Sequence, residues 1–286
     1  MNNGESVNKI IAVANQKGGV GKTTTSVNLS AALAGLGSSV LLMDLDPQGN
    51  ATMGSGIDKH DLNVSIYDWL MGDSPLQETV KATVGHYDLL PANIDLTAAE
   101  VALMQFDERE FVITKRLSEQ PRVYDYIVVD CPPSLNILTV NALVAATGVL
   151  VPMQCEYYAL EGLSALLDTV EGIRTKANPN LEIDGLLRTM YDARNGLSRD
   201  VSRQLIQYFG EKVYRTVVPR NVRLAEAPSH GLPVMMYDRG SRGSLAYLAL
   251  ASEMQKRHGI NVRLERRWGQ NKNAPVDAAR NTGNGN

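Results

Sequence analysis

Short apolar runs alternate with longer amphipathic stretches along most of the chain. The apolar runs are rich in β-branched residues, which is typical of buried strands, whereas the longer stretches repeat apolar positions every three or four residues, as helices do. The predicted strands are 10–14, 40–43, 87–91, 123–129, 149–152, 183–190 and 214–218. The predicted helices are 23–36, 97–104, 109–118, 136–146, a long helix ending near 176, and 244–257.

This alternation of strands and helices predicts an α/β fold. We expect a single doubly wound, mostly parallel sheet with right-handed crossovers and helices on both faces. The carboxyl ends of parallel strands lie at one edge of such a sheet, and that edge is where ligands bind. Polar residues that directly follow the predicted strands are therefore the first candidates for a functional site.

The first predicted strand leads through a glycine-rich loop into the first helix. The sequence from Ile10 to Thr25 is IIAVANQKGGVGKTTT. Glycines let backbone N–H groups approach an anion closely, and a helix N-terminus adds partial positive charge, so the segment predicts a phosphate-binding P-loop. The expected nucleotide-binding residues are Lys17, Gly18, Gly19, Val20, Gly21, Lys22, Thr23 and Thr24. Lys22 is expected to reach the outer phosphates and Thr23 to bind Mg²⁺. A glycine turn with a solvated lysine is the alternative.

Two more predicted strands end in carboxylates. Asp44-Leu45-Asp46-Pro47 follows strand 40–43, and Asp130-Cys131-Pro132-Pro133 follows strand 123–129. Asp46 is the candidate to orient the attacking water and to contribute to the metal site, and Asp44 to hold the loop or the water shell of the metal. Asp130 resembles a Walker B carboxylate, which binds Mg²⁺ through a coordinated water. The alternative for Asp46-Pro47 is a plain turn.

The phosphate loop contains two lysines, and Gln16 stands where an ordinary P-loop has its first glycine. Together with KGGVGKTT, the stretches DLDPQGNAT, DYIVVDCPPS, PMQCEYYALEGLSAL and VPRNVRLAEAPSHG resemble the ParA/Soj-type partition ATPases, the deviant Walker A class of the ParA/MinD superfamily, over residues 9 to about 258. The resemblance implies Mg-ATP and a homodimer in which Lys17 of one subunit reaches the phosphates bound by the other. Lys17, Lys22 and Asp46 are therefore the candidate catalytic residues.

The same resemblance implies partners. An ATP-held sandwich dimer would coat non-specific double-stranded DNA, and a ParB-type centromere-binding protein would stimulate hydrolysis. A low intrinsic rate is expected, because no arginine can be assigned as an internal finger from the sequence. The expected location is the cytoplasm, in association with the nucleoid.

The charge distribution offers a candidate DNA surface. The chain as a whole has a net charge of −3, but from 188 to 223 it contains eight Lys or Arg against three acids. Arg194, Arg220 and Arg223 follow two late strands and resemble the DNA-contacting arginines of the family. A dimer would double the patch and so raise both DNA affinity and its salt dependence. An ordinary solvated face is the alternative, and no motif for reading base sequence is present.

The base of the nucleotide is expected to lie against Met190 and the turn from Pro219 to Asn221. Guanine-binding relatives of P-loop proteins place an Asn/Thr-Lys-x-Asp motif after a late strand. The counterpart here, Thr189-Met190-Tyr191-Asp192, lacks the lysine, which favours adenine.

Composition narrows the class of protein. The chain of 286 residues is 44% hydrophobic and 21% charged, its start MNNGESVNK lacks a signal-peptide pattern, and its two cysteines cannot form a disulfide framework. We expect a flexible N-terminus at 1–8, one P-loop ATPase domain at 9–268 and a disordered polar tail at 269–286.

Two other functions remain open at this point. A MinD-like membrane-cycling ATPase would need a C-terminal amphipathic helix, for which 262–268 is the candidate. A redox protein like the nitrogenase iron protein would use two cysteines per chain for a shared Fe–S cluster. The contexts of Cys131 and Cys155 do not match those ligands.

Overall fold

A computed structural model describes residues 9–119, 124–157 and 159–260. Within them, eight strands form one sheet in the order β3-β4-β2-β5-β1-β6-β7-β8. All neighbouring strands are parallel except β3, which runs antiparallel to β4. The strands are β1 Lys9–Val13, β2 Val40–Asp44, β3 Lys81–Ala82, β4 Asp88–Leu90, β5 Tyr126–Asp130, β6 Gly148–Gln154, β7 Glu182–Tyr191 and β8 Val213–Pro219. The α/β fold with a mostly parallel sheet is confirmed.

Helices cover both faces of this sheet. They are α1 Lys22–Gly35, α2 Asn50–Gly54, α3 Ile66–Met71, α4 Leu76–Thr79, α5 Leu96–Leu103, α6 Val112–Ser118, α7 Ile137–Ala145, α8 Ala159–Lys176, α9 Gly196–Phe209, α10 Val222–Glu226, α11 Val234–Tyr237 and α12 Arg242–Arg257. Short 3₁₀ turns occupy Lys59–Asp61, Arg109–Phe111, Gly210–Lys212 and Ala227–His230. The sheet is buried on both sides: one core lies under α1 and α12, and a second lies under α7 and α8.

Every predicted strand is present, and no end is displaced by more than three residues. Residue 123 lies outside the described part of the chain. The stretch 109–118, predicted as one helix, is a 3₁₀ turn followed by α6. Helix α9 was missed, although Asn195 caps it by accepting hydrogen bonds from the N–H groups of Leu197 and Ser198. The N-terminus at 1–8 and the tail at 269–286 lie outside the described residues, so these two predictions are not tested.

Candidate nucleotide-binding site

The phosphate loop follows β1, which lies in the middle of the sheet between β5 and β6. Gly19 and Gly21 have φ angles of +73° and +88°, a left-handed backbone that strains any other residue. Val20 is buried between them, and its carbonyl oxygen accepts a hydrogen bond of 2.8 Å from the Thr189 hydroxyl on β7. The loop is therefore fixed from a strand far away in sequence.

Lys22, in the first turn of α1, points into the loop that precedes it. Its side chain is buried, and its Nζ donates to the Lys17 carbonyl oxygen at 3.2 Å. Burial lowers the pKa of the ammonium, and the negative charge of Asp130 opposes that shift. Thr23 and Thr24 lie beside it, half-buried. A buried ammonium at a helix N-terminus is suited to neutralise a phosphate.

Lys17 projects from the tip of the same loop. Its Nζ forms an ion pair of 2.7 Å with Glu156, in which the side chains remain 41% and 52% exposed. Exposed ion pairs contribute about 0–1 kcal/mol. The contact with Glu156, which sequence reasoning missed, is therefore too weak to hold Lys17 permanently. Around Gly18 there is open space, since a Cβ added there would meet no atom within 4 Å.

Asp130 ends β5 directly beside the end of β1, with Val13 and Asp130 in register. It is fully buried, and its Oδ1 accepts a hydrogen bond of 2.8 Å from the Ser26 hydroxyl of α1. Burial raises the pKa of this carboxyl, and the charge of Asp44 raises it further. Hydrogen bonding from the Ser26 and Thr23 hydroxyls opposes that shift, yet no donor among the described residues reaches Oδ2 with full hydrogen-bond geometry.

A buried carboxylate oxygen without a well-placed donor is costly unless the carboxyl takes up a proton or a cation, bare or through a bound water, accompanies it. The Oδ2 atom of Asp130 is such an oxygen. Thr23, which carries a hydroxyl, lies in the first turn of the adjacent helix α1. Oxygen ligands of this kind suit Mg²⁺, which usually keeps several of its waters. The residues at the end of β5 and the start of α1 therefore fit the metal that accompanies a nucleotide.

Asp44 ends β2 in register with Asp130 and holds the loop that follows. It is fully buried and accepts hydrogen bonds from the Asp46 N–H and from both the N–H and the hydroxyl of Thr52, at 3.2, 2.8 and 2.8 Å. Burial raises its pKa. Of the two roles weighed for Asp44, loop support is the one the contacts favour.

Asp46 is half-buried at the start of this loop. Its Oδ1 accepts from the Gln48 N–H at 2.9 Å, and the Lys59 ammonium donates to the Gln48 carbonyl oxygen at 2.6 Å. Gly49 follows with φ +59°, where a side chain would collide with Lys59 and the Ala92 carbonyl. The loop thus has a defined shape that presents Asp46 at the edge of the sheet where β1 and β5 end.

The candidate base pocket lies where β7 and β8 end. Tyr191 and Pro219 are in register, which brings the Met190 segment next to the turn at 219–221. Met190 has a φ of +47°, an uncommon conformation for a residue with a side chain. The Asn221 carboxamide oxygen caps α10 by accepting from the Arg223 N–H. That Met190, Pro219 and Asn221 contact the base stays a prediction.

Asp192 occupies the place of the aspartate with which guanine-binding proteins read their base. Here Arg194 donates two hydrogen bonds to the Asp192 carboxylate, from Nε to Oδ1 at 3.0 Å and from Nη2 to Oδ2 at 2.9 Å. These hydrogen bonds lower the pKa of Asp192 to about 2, and the nearby charge of Arg220 contributes. Because the Arg194 side chain is 92% exposed, this pair does not by itself exclude guanine, and the preference for adenine rests on the missing lysine of the motif.

The candidate DNA surface is smaller than the charge count predicts. Arg188 is buried within it: its guanidinium donates to the Ser202 hydroxyl and to two carbonyl oxygens of β8 where the β7–β8 register is irregular. Counting Arg188 as part of the surface was wrong. Seven exposed lysines or arginines remain against three acidic residues from 188 to 223, an excess of four positive charges.

The three arginines proposed to contact DNA differ in their surroundings. Arg220 is exposed and lies near the Arg194–Asp192 pair. The positive charge of Arg223 is offset by two carboxylates, those of Glu226 at 2.8 Å and Asp238 at 3.2 Å. Arg220 is thus the best placed of the three to contact a phosphate.

Cys131 and Cys155 are both buried. Burial raises the pKa of each thiol, that of Cys155 to about 11. Neither thiol is exposed at a surface where two subunits could share an Fe–S cluster, which argues against the redox alternative. None of the helices in the described part of the chain is long and apolar enough to cross a membrane.

Four supporting residues were missed from the sequence: Ser26, Thr52, Glu156 and Thr189. Each acts on a residue of the site through a side chain, and Glu156 and Thr189 lie 139 and 169 positions from their partners in the chain. Thr189 was noted only as the first residue of a guanine-type motif. Ser26 and Glu156 contact partners far away in the sequence, whereas Thr52 lies only eight residues after Asp44, within the quoted stretch DLDPQGNAT.

Comparisons with known proteins find relatives along most of the chain. The AAA_31 family, described as an AAA domain, matches residues 8–183. The sporulation initiation inhibitor protein Soj of Bacillus subtilis is 54% identical over 247 residues, which cover 86% of this chain and 98% of Soj. The chromosome partitioning protein ParA of Myxococcus xanthus is 49% identical over 252 residues, 88% of this chain and 89% of ParA.

Solved structures share the fold. The cobyrinic acid a,c-diamide synthase of Mycobacterium smegmatis, bound to an ATP analogue and magnesium, has a TM-score of 0.77 and 37% identity, covering 90% of this chain and 98% of that one. The septum site-determining protein MinD of Pyrococcus horikoshii, complexed with Mg-ADP, has a TM-score of 0.70 and 25% identity, covering 88% and 98%.

Proposed function

The chain belongs to the ParA/Soj family of chromosome-partitioning ATPases, and we propose that its Mg-ATP form is a sandwich dimer that binds double-stranded DNA without sequence preference. Hydrolysis to ADP and phosphate would return the monomer and release the DNA. ATP is the substrate and Mg²⁺ the cofactor of this ATPase. The observation that carries the proposal is the exposed Lys17 at the tip of an otherwise complete phosphate cradle.

The chemistry assigns a task to each residue at the edge of the sheet. The loop N–H groups and Lys22 hold the phosphates, and Asp46 orients the water that attacks. Thr23 and Asp130, the latter through a water, would hold Mg²⁺, which neutralises charge on the phosphate oxygens. Asp46 could also bind to the water shell of the metal. Since nothing in this set acts as an internal arginine finger, a slow intrinsic rate is expected.

Dimerisation follows from the position of Lys17. Two subunits that face each other through their nucleotides would bring like-charged phosphates together, and a cation from across the interface offsets that repulsion. Lys17 must first leave Glu156. Each exposed pair costs about 0–1 kcal/mol to break, and a dimer breaks two, so the penalty is at most about 2 kcal/mol. A charge-assisted bond from Lys17 to a phosphate in a closed interface offsets such a cost.

DNA binding would use the surface formed by Arg194, Arg220 and Arg223 at the ends of β7 and β8. Because each dimer presents the surface twice, nucleotide-driven pairing raises the number of phosphates neutralised at once. The partition-system partner that stimulates hydrolysis would be a ParB-type centromere-binding protein, and the nucleoid would be the site of action in the cytoplasm.

Gel-shift titrations with DNA of arbitrary sequence test this proposal. We expect retention with a slowly hydrolysed ATP analogue and Mg²⁺ at low salt, and little retention with ADP. Arg220→Ala should lower the salt slope of binding by about two per dimer, one phosphate contact per subunit. Arg174→Ala is the matched control, because Arg174 is an exposed arginine on α8 that pairs with Glu171. Equal retention with ADP and with the ATP analogue would contradict the proposal.

A MinD-like membrane cycle is the second candidate. Its segment at 262–268 lies outside the described residues, and identity to the Pyrococcus MinD is 25% against 54% to Soj. Co-sedimentation with anionic liposomes in the presence of ATP separates the two functions: a strong pellet would favour the membrane cycle, and protein left in the supernatant would favour DNA.

A further inference from the structure

Helix α5 exposes an apolar stripe to solvent. Ile94, just before the helix, is 66% exposed, Val101 is 70% exposed and Met104 is 49% exposed. With Ala98 they follow the spacing i, i+4, i+7, i+10 and so lie along one side, which we call the α5 stripe. The opposite side of the helix is buried through Leu96, Ala99 and Leu103. The stripe is therefore an additional apolar surface that the core does not use.

Negative charge predominates around the α5 stripe. The sequence from 93 to 109 contains Asp95, Glu100, Asp107 and Glu108 against one basic residue, Arg109, whose Nη1 lies 3.5 Å from the Met104 carbonyl oxygen at the end of the stripe. Contiguous apolar surface with a charged rim is a mark of protein interaction sites. The acidic rim also distinguishes this surface from the basic one at the ends of β7 and β8.

Helix α5 is connected to the loop that follows Asp130. The Asn136 side-chain amide donates a hydrogen bond of 2.7 Å to Glu100 Oε1, while its carbonyl oxygen caps α7 by accepting from the Thr139 N–H at 3.0 Å. Leu135, the residue before Asn136, is 47% exposed. A ligand on the α5 stripe would thus press on a helix bonded to the loop at 131–136.

We propose that the protein that stimulates hydrolysis docks a cationic amphipathic helix on the α5 stripe. The inference rests on the proposed function only in naming this partner as the stimulator. An apolar row of the incoming helix would cover Val101 and Met104, and flanking lysines or arginines would meet Asp107 and Glu108. Its effect on hydrolysis would pass through the Glu100–Asn136 hydrogen bond.

Two other occupants fit the stripe less well. A second copy of this chain, related by two-fold symmetry, would bring the same four carboxylates face to face, and such like-charge contacts disfavour pairing. DNA phosphates would be repelled by the same rim. A cationic partner would be attracted by the carboxylates that repel a second copy of the chain and DNA.

Two designed helical peptides of about five turns test the docking. Both have one row of leucines and a fluorescent label; the flanking positions are lysine in one peptide and glutamate in the other. Fluorescence anisotropy with the full chain, Mg²⁺ and an ATP analogue should show saturable binding of the lysine peptide, at least tenfold tighter than that of the glutamate peptide. Val101→Gln/Met104→Gln should weaken it at least tenfold, and so should Asp107→Lys/Glu108→Lys.

The matched control is Leu245→Gln, because Leu245 is 56% exposed on α12 and lies apart from the stripe. It should change lysine-peptide affinity less than twofold. Equal binding of the two peptides, or binding indifferent to both double substitutions, would overturn the inference. Loss of the ATP-analogue dimer in Val101→Gln/Met104→Gln, measured by light scattering, would also overturn it by assigning the stripe to the subunit interface.

Measuring DNA retention in parallel distinguishes failure of the docking inference from failure of the proposed DNA binding. If the unmodified chain retains DNA with ATP but peptide binding ignores the stripe, the docking inference alone is wrong. If peptide binding depends on the stripe but DNA retention fails, the DNA-binding proposal is wrong and the docking surface stands.

Discussion

Replacing Thr52 with valine should destabilise the protein strongly, although the two side chains have nearly the same size. The Thr52 hydroxyl is fully buried and has two partners: it donates to Asp44 Oδ2 at 2.8 Å and accepts from the Ala92 N–H at 2.9 Å. Valine has nearly the same shape but makes neither hydrogen bond. The substitution therefore removes polar contacts while leaving the cavity filled.

The magnitude follows from these two contacts. Losing a hydrogen bond to a buried carboxylate costs about 1.5–3 kcal/mol, and leaving a buried N–H unsatisfied costs about 1–3 kcal/mol. The added methyl group of valine returns about 1 kcal/mol of burial. We therefore expect the free energy of unfolding to fall by about 1.5–5 kcal/mol, a large part of the stability of an ordinary domain.

Urea denaturation with an unchanged m-value measures this loss. The control is Thr52→Ser, which keeps the hydroxyl and loses one methyl group, at a cost of about 1 kcal/mol. ATP turnover should fall in Thr52→Val even where the protein is folded, because Asp44 then holds the Asp46 loop less firmly. A Thr52→Val protein as stable as Thr52→Ser would refute the reasoning.

The other predictions concern the phosphate loop and the loop after β2. Asp46→Ala should bind ATP and dimerise but turn over poorly in a phosphate-release assay; turnover at the parent rate would remove its assigned role. Lys22→Ala should bind Mg-ATP weakly from the outset in calorimetry, and parent affinity would contradict that. Gly18→Val should fold, because a side chain has free space there within the subunit, yet remain monomeric with an ATP analogue. A dimer of normal size by light scattering would count against the facing-loop arrangement.

Local patterns in the sequence were enough for the main part of the fold. The run Ile10–Ala14 and the glycines after it predict both the strand and the loop, because a buried parallel strand and a left-handed backbone each require particular residue types. Asp44 and Asp130 were placed at one edge because strands in a parallel sheet point the same way. Their register in the structure confirms this.

Contacts between distant segments could not be predicted. Lys17 pairs with Glu156 and Val20 is held by Thr189 because separate strands end side by side, and the sequence alone does not give strand order. Arg188 shows the same limit in reverse: counted as a surface charge, it is buried where the β7–β8 pairing is irregular. A charge count along the sequence does not distinguish these environments.

Oligomeric state, measured by multi-angle light scattering, tests the central claim that Lys17 joins two subunits through the terminal phosphate of ATP. The parent chain should be a dimer with a slowly hydrolysed ATP analogue and Mg²⁺ and a monomer with ADP. Lys17→Ala should bind the analogue, since Lys22 is intact, and stay monomeric. A Lys17→Ala protein that dimerises with the analogue as the parent does would contradict the account.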